Sequence, residues 1–393
     1  MSAEAEERFA RFGLISWWAQ ARLSEAKAIV VGAGALGNEV LKNLALLGVG
    51  SVVVVDLDRI ETSNLSRAVL FRPTDAGAEK ALVAARAVRE LYPSIRSLGL
   101  TSDVVHGIGA GLFGWADVVI GALDNREARL AVNRLCYRVG TPWIDGAIEA
   151  LAGVARVFLP PEGACYECSM SELDWKLLAQ RHSCSLLNRT LTAAGHVPTT
   201  PTTASVIAGV QCQEALKLLH GLPSALAGRG LVFEGMEHSS YTVSYERSPE
   251  CLSHEPFDRI VHTGERAATL SVAGALERAR AECGAGAKLS FLRELLLGLD
   301  CPECGRSDQL LRPLASVVEE EALCPGCGAR RAPRLFHAVD GTEDFLDRPL
   351  STIGVPAWDV LLASGGDAAV GLELDGDRPA VLGALDAPTG GGA

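Results

Sequence analysis

Gly32, Gly34 and Gly37 stand in the spacing G-x-G-x-x-G inside the run AIVVGAGALGNEVLKNLALLGVGSVVVVDLD. Glycines at these points let the backbone approach a phosphate closely. The helix they open offers free N–H groups and a positive dipole end. Asp56, just past a second apolar run, is placed to accept hydrogen bonds from a ribose. Alone, this pattern serves an NAD or FAD site as readily as an ATP site. Downstream, Asp58, Arg59, Asn64, Arg67 and Lys80 crowd polar and cationic groups beside the phosphate turn, more than a nicotinamide site has use for.

Cysteines form the second chemical signal. Of eleven, six fall in C-x-x-C pairs: Cys165 with Cys168, Cys301 with Cys304, and Cys324 with Cys327. The last two pairs, CPECG and CPGCG, have the spacing and knuckle glycines of a zinc ribbon. Such a closed site of four cysteines leaves no open position for a substrate, so its expected role is structural. A soluble nucleotide site points to a reducing compartment, where paired cysteines read as metal ligands rather than disulfides.

The elements that must position these groups follow from the apolar pattern. Ala28 to Val31 and Val52 to Val55 read as parallel strands joined by a helix. A helix from Ala78 to Leu91 begins with Lys80. Further strands at Asp117 to Leu123 and Pro142 to Ala147 flank a helix from Arg126 to Val139. This alternation predicts an α/β fold, a Rossmann-like, doubly wound, mostly parallel sheet. From Gly153 the texture changes: VARVFLP reads as a strand, a polar crossover follows, and Thr203 to His220 forms a long helix. Leu231 to Phe233 and Tyr241 to Glu246 read as closing strands before RSPECLSHEP.

The domain plan is a helical segment over 1–25 and an ATP-binding domain over 26–255, with a cysteine crossover at about 169–200. A smaller C-terminal module over 256–385 contains the ribbon (301–327), and 386–393 is a flexible tail. At 393 residues and 48% hydrophobic content the chain is long enough for two or three domains with a proper core. A net charge of −12 argues against non-specific nucleic-acid binding. The charged N-terminus lacks an export signal, and no run is apolar enough to span a bilayer, so a cytoplasmic protein is expected.

The ordered motifs GAGALG, DLDRIETSNLSR, Lys80, ALDN at Ala122 to Asn125, and CYEC resemble the ubiquitin-activating and sulfur-carrier-adenylating superfamily (E1-like, ThiF/MoeB/HesA), over roughly Arg8 to His254. The resemblance implies adenylation: a carboxylate at the C-terminal glycine of a ubiquitin-like protein attacks the α-phosphate of ATP, and pyrophosphate leaves. It implies that Gly32, Gly34 and Gly37 shape the phosphate turn. Asp56 holds the ribose, with Asp58 and Asn125 beside the nucleotide. Asn64, Arg67 and Lys80 contact the triphosphate, and Asp124 holds Mg2+. Asp124 could instead cap the following helix, and Arg67 could be a surface cation. The resemblance also implies a homodimer in which Arg11, in RFARF, reaches the neighbour's ATP. One departure is Ala68, where the family usually carries Gln after the arginine of Asn-Leu-x-Arg.

Within CYECSM…RHSCSLL, Cys184 matches the cysteine that takes the acyl group from AMP as a thioester, with Arg181, His182 and Arg189 available to lower its pKa. A buried structural cysteine is the alternative. The family's second C-x-x-C is replaced by RSPECLSH, so Cys251 and His254 would complete a site of three cysteines and one histidine with Cys165 and Cys168. That makes two Zn2+ per chain. Four functions remain in play. The first is activation of a ubiquitin-like protein, with or without a conjugating enzyme as acceptor. The second is sulfur-carrier adenylation, or adenylation of a small-molecule or tRNA carboxylate, without the cysteine step. The third is a non-catalytic nucleotide-binding adaptor, and the fourth an NAD-dependent oxidoreductase.

Overall fold

The computed structural model describes residues 7–176, 198–313, 316–366 and 368–387. Its larger sheet has eight strands in the order β3-β2-β1-β4-β5-β6-β7-β8. These are β1 (Lys27–Val31), β2 (Ser51–Val55), β3 (Arg96–Leu100), β4 (Val118–Gly121), β5 (Trp143–Glu149), β6 (Ala152–Phe158), β7 (Arg229–Glu234) and β8 (Ser239–Ser244). The first five run parallel and the last three add antiparallel. Strand order therefore reverses between β1 and β4, where a doubly wound sheet opens its ligand crevice.

Helices cover both faces, which is why β1 and β2 are continuously apolar after their first residues, Lys27 and Ser51, rather than alternating. Ala28, Val30, Val52 and Val54 face a core shared with α2 (Ala35–Leu47), α3 (Lys80–Leu91) and α6 (Pro201–Leu219). Ile29, Val31, Val53 and Val55 face the opposite core, with α4 (Ala110–Trp115) and α5 (Arg126–Val139). Local chemistry fixes the helix ends. Gly48 and Gly140 close α2 and α5 in the left-handed region, at φ 76° and 77°. Thr200 caps α6 by accepting from Thr203 N, with Pro201 in the first turn. A short α1 (Gln20–Glu25) precedes β1.

The second sheet runs β11-β10-β13-β14-β9, with β12 also paired to β10. Its strands are β9 (Arg259–His262), β10 (Lys288–Asp300), β11 (Ser307–Arg312), β12 (Ala332–Val339), β13 (Val360–Gly365) and β14 (Ala368–Glu373). α7 (Val272–Cys283) packs on it through Val272, Ala275, Leu276 and Ala279. Yet Trp358, Val360, Leu382 and Leu385, the last two in and after α8 (Arg378–Leu382), join the same apolar core as α4 and α5. The C-terminal residues thus cover part of one face of the first sheet.

Strands and helices expected up to residue 246 are present with ends shifted by a few residues, and Arg126–Val139 matches its expected span. β3 and α4 were not anticipated, nor were the six strands after 256. Asp386 and Ala387, placed in the tail, accept hydrogen bonds from Arg378 and Arg96 at 2.7 Å each. Residues 388–393 lie outside the described residues.

Candidate nucleotide and metal sites

The turn after β1 is shaped by contacts that only glycine tolerates. Gly32 has φ 97°, and a Cβ there would lie 2.3 Å from Ala122 O. A Cβ on Gly37 would lie 1.9 Å from Gly32 O, so the helix could not close on the turn. At Gly34, by contrast, a Cβ meets nothing within 4 Å: the space above the turn is open. Buried Asn38 on α2 locks this turn by donating to Ala33 O (2.7 Å) and Gly34 O (3.0 Å). Its own oxygen accepts from Leu70 N at 2.9 Å, tying the turn to the loop that carries Asn64 and Arg67. Asn38 was missed in the sequence because a polar residue on an amphipathic helix reads as solvated.

Asp56 ends β2. One of its oxygens accepts from Ala33 N (2.6 Å) and the other from Asp58 N (2.8 Å), which fixes the carboxylate beside the turn. Burial is the dominant influence and raises its pKa, opposed by the Ala33 N–H and by Lys80. Lys80 opens α3 and lies 2.8 Å from Asp58 Oδ2. The backbone brings them together: Lys80 N donates to Asp58 O (2.9 Å) and Ile60 N to Ala78 O (2.8 Å). Asn64 Oδ1 accepts from Glu61 N at 3.0 Å, and the half-buried Arg67 donates from Nη1 to Ser63 O at 3.1 Å. Ala68, in place of the expected Gln, is buried in the core and offers no polar atom.

Asp124 follows β4 and is exposed, its carboxylate accepting from Asn125 Nδ2 at 3.2 Å. Asn125, not Asp124, caps α5: its oxygen accepts from Ala128 N at 2.8 Å. Asp124 is therefore not used up as a cap. One turn into α5, buried Arg129 reaches back to Leu123 O, the carbonyl just before Asp124, and to Gly146 O at 3.2 Å. Its Nε donates to the fully buried Asp145 at 3.0 Å, which also accepts from Arg156 at 3.3 Å. This pair was unmarked in the sequence, although an aspartate inside the apolar run PWIDGA was a signal that a cation lay opposite. Arg11 is exposed at the start of the 3-10 turn Phe12–Leu14. Cys184, with Arg181, His182 and Arg189, lies outside the described residues.

Two four-residue clusters have metal-ligand chemistry. Ligand atoms of Cys165, Cys168, Cys251 and His254 all lie within 4.8 Å of one another, as do those of Cys301, Cys304, Cys324 and Cys327. Tetrahedral zinc with bonds of about 2.3 Å requires sulfurs about 3.8 Å apart. In the first cluster the Cys165–Cys168 and Cys165–Cys251 sulfurs are 3.7 and 3.5 Å apart, and Cys168 Sγ is 3.3 Å from His254 Nε2. In the second, Cys301–Cys327 and Cys304–Cys324 are each 3.5 Å apart. Both donor sets fit the ion. Burial, with Arg247 nearby, lowers the pKa of His254 and so favours the neutral ring that ligates. Asn133 on α5 accepts from Tyr166 N at 2.9 Å and holds the first knuckle against the larger sheet.

A family model described as the ThiF family matches residues 6–253. The chain belongs to the ThiF family. It is 36% identical over 242 residues to the SAMP-activating enzyme E1 of Haloferax volcanii, covering 59% of this chain and 81% of that protein. It is 34% identical over 247 residues to the sulfur carrier protein adenylyltransferase of Thermus thermophilus, covering 61% and 87%. Among solved structures, the crystal structure of E. coli MccB with ATP shares the fold, with TM-score 0.52 and 23% identity over 63% of this chain and 73% of that one. In this ThiF-family chain the match ends before the second sheet begins. No described helix is long and apolar enough to cross a membrane.

Proposed function

We propose that this chain is an ATP-dependent adenylyltransferase that activates the C-terminal carboxylate of a ubiquitin-like protein and passes the acyl group to Cys184. The supporting observation is the convergence of the open turn at Gly34, Asp56, Lys80 and Asp124 at the carboxyl ends of β1, β2 and β4, the crevice of this fold. A carboxylate oxygen attacks the α-phosphorus, the bond to the bridging oxygen breaks, and pyrophosphate leaves with the electron pair. The enzyme's task is alignment and neutralisation of charge. Asp56 orients the ribose, Asp58 keeps Lys80 beside the phosphates, and Asn64 and Arg67 contact them, with Asn125 at the nucleotide's edge. Asp124, steadied by Arg129, is the group to hold Mg2+, which supplies charge stabilisation on the leaving phosphates. The thiolate of Cys184 then attacks the acyl carbon, and AMP leaves.

Both zinc clusters are structural in this reading, with no open coordination position. The working unit is a cytoplasmic homodimer in which Arg11 serves the neighbour's nucleotide, and a conjugating enzyme is the acceptor downstream. Domain limits at 26–255 and 256–385 separate the adenylating part from its extension.

A second reading rests on the Thermus relative, named for a sulfur carrier: adenylation alone, with Cys184 structural. The deciding experiment incubates wild-type and Cys184→Ala protein with Mg-ATP and a ubiquitin-fold protein, followed by gels with and without reductant. A reductant-sensitive adduct lost in Cys184→Ala is expected. An adduct that persists in the variant would overturn the cysteine assignment. Partner-dependent pyrophosphate exchange without any adduct would establish the second reading.

A further inference from the structure

The phosphate turn follows β1 and the ribose-binding Asp56 follows β2, so a nucleotide seated there runs outward along the sheet edge. Neighbouring strands stand about 4.8 Å apart, so the next group along, the base, falls at the end of β3. The loop over 101–109 begins there, and it is joined to the ribose position directly: Asp56 N donates to Leu100 O at 3.2 Å. Within the loop Gly107 N donates to Asp103 O (2.7 Å) and Val105 N to Asp103 Oδ1 (3.0 Å), and further contacts come from the C-terminal module. Arg293, on β10, donates from Nη1 to Val105 O (3.1 Å) and from Nη2 to Ile108 O (3.0 Å). Nη2 also lies 3.2 Å from each oxygen of Asp359, which in turn accepts from Ala110 N at 2.9 Å. Both side chains are almost fully buried, at 5% and 1% exposure.

The neighbouring contact is equally committed. Trp358 sits at φ 57°, a conformation disfavoured for a bulky side chain and kept only where surroundings impose it. Its carbonyl accepts from Gly111 N (3.0 Å), its N–H donates to Asp377 (3.1 Å) and its indole donates to Glu373 (2.6 Å). A Cβ on Gly109 or Gly111 would come within 2.4 Å of residues 357–358, so the backbones meet without room for a side chain.

We infer that the C-terminal module is part of the nucleotide site: Arg293 is a positioning residue that holds loop 101–109 in the shape that receives the adenine base. This deepens the adenylation reading and rests on it. The test is hydrogen–deuterium exchange of the intact wild-type protein with and without Mg-ATP, joined to steady-state kinetics of Arg293→Lys. ATP should protect the turn over 32–37 and, with it, residues 101–109. Arg293→Lys should raise KM for ATP about tenfold, a larger change than in kcat, and narrow the preference for ATP over GTP. Protection of the turn without the loop would overturn the inference and leave adenylation standing. No protection of either would overturn both. A folded Arg293→Lys with wild-type KM and base preference would also refute the role of Arg293, and the exchange experiment remains decisive if that variant does not fold.

Discussion

The two sides of the proposed nucleotide site are built in opposite ways. The phosphate and ribose side comes from one stretch, 28–80, with Asp124 added from the next strand, and its residues sit on turns that glycine and caps shape locally. The base side is assembled from a loop after β3 and an arginine 188 residues from the carbonyl it holds. On the first side, exposed or half-buried charges carry the chemistry and little of the stability. On the second, a buried ion pair and a tryptophan carry stability and shape. Replacing groups on each side should therefore produce different kinds of defect.

The largest effect is expected at Lys80 and Asp124. Lys80→Ala or Asp124→Ala should lower pyrophosphate exchange about 10²–10³-fold, because charge on the transferring phosphate loses its partner. Asp124→Ala should move the thermal midpoint by no more than a few degrees, since its side chain is exposed. Lys80→Ala also loses the packing of a side chain that is only 11% exposed and should move it further, but less than a core truncation does. A large fall in the midpoint would erase the distinction between the two sides. Trp358→Ala should do the reverse. Removing this buried indole should cost about 3–5 kcal/mol in denaturant unfolding, with a smaller loss of exchange per folded molecule. A midpoint within error of wild type would show that the module is not docked as described.

That contrast also explains what could be read from the sequence. Glycines at 32, 34 and 37 and the acid at 56 lie in a local motif whose spacing itself states the geometry, so the fold and the shape of this turn were legible. The CPECG and CPGCG knuckles were legible for the same reason. Arg293 and Asp359 were not, because each is an ordinary charged residue in a strand-forming run, and only the folded topology shows them to be buried against each other. Asn38 and Arg129 sit between these cases. Each lies within a few residues of a motif, but its partners, Leu70 N and Asp145, lie on other elements.

The metal clusters sharpen the comparison at smaller scale. Each of Cys251→Ser and Cys324→Ser should reduce bound zinc from two ions to one, measured by mass spectrometry or a chromogenic chelator. Cys251→Ser should take the greater toll on exchange, since its cluster lies against α5 and the larger sheet, whereas Cys324 belongs to the ribbon that joins β10, β11 and β12. Equal losses would place the ribbon nearer the chemistry than this account allows. At the ribbon, the Gly326 N–H donates to Cys324 Sγ at 3.4 Å and is the leading cause that lowers its pKa to about 6.

The smallest expected effect concerns Asp56. Burial raises its pKa in the folded protein, so the native state takes up this proton before the unfolded chain does. Its contribution to stability is therefore fully present in acid and fades as pH rises through the window just above the ordinary value of 3.8. Nucleotide affinity is expected to follow the opposite course, because in the proposed site the ribose hydroxyls donate to the ionised form. Titrating ATP binding in wild type and Asp56→Asn should show the acid fall-off only in the wild type, and at a pH above that of an ordinary aspartate.

The central claim is that a protein carboxylate is adenylated here, and partner-dependent exchange of labelled pyrophosphate into ATP tests it most directly. A ubiquitin-fold protein with an intact C-terminal glycine should stimulate exchange, and the same protein lacking that glycine should not. Tight ATP binding with no exchange from any such partner, or exchange indifferent to the terminal glycine, would contradict the account.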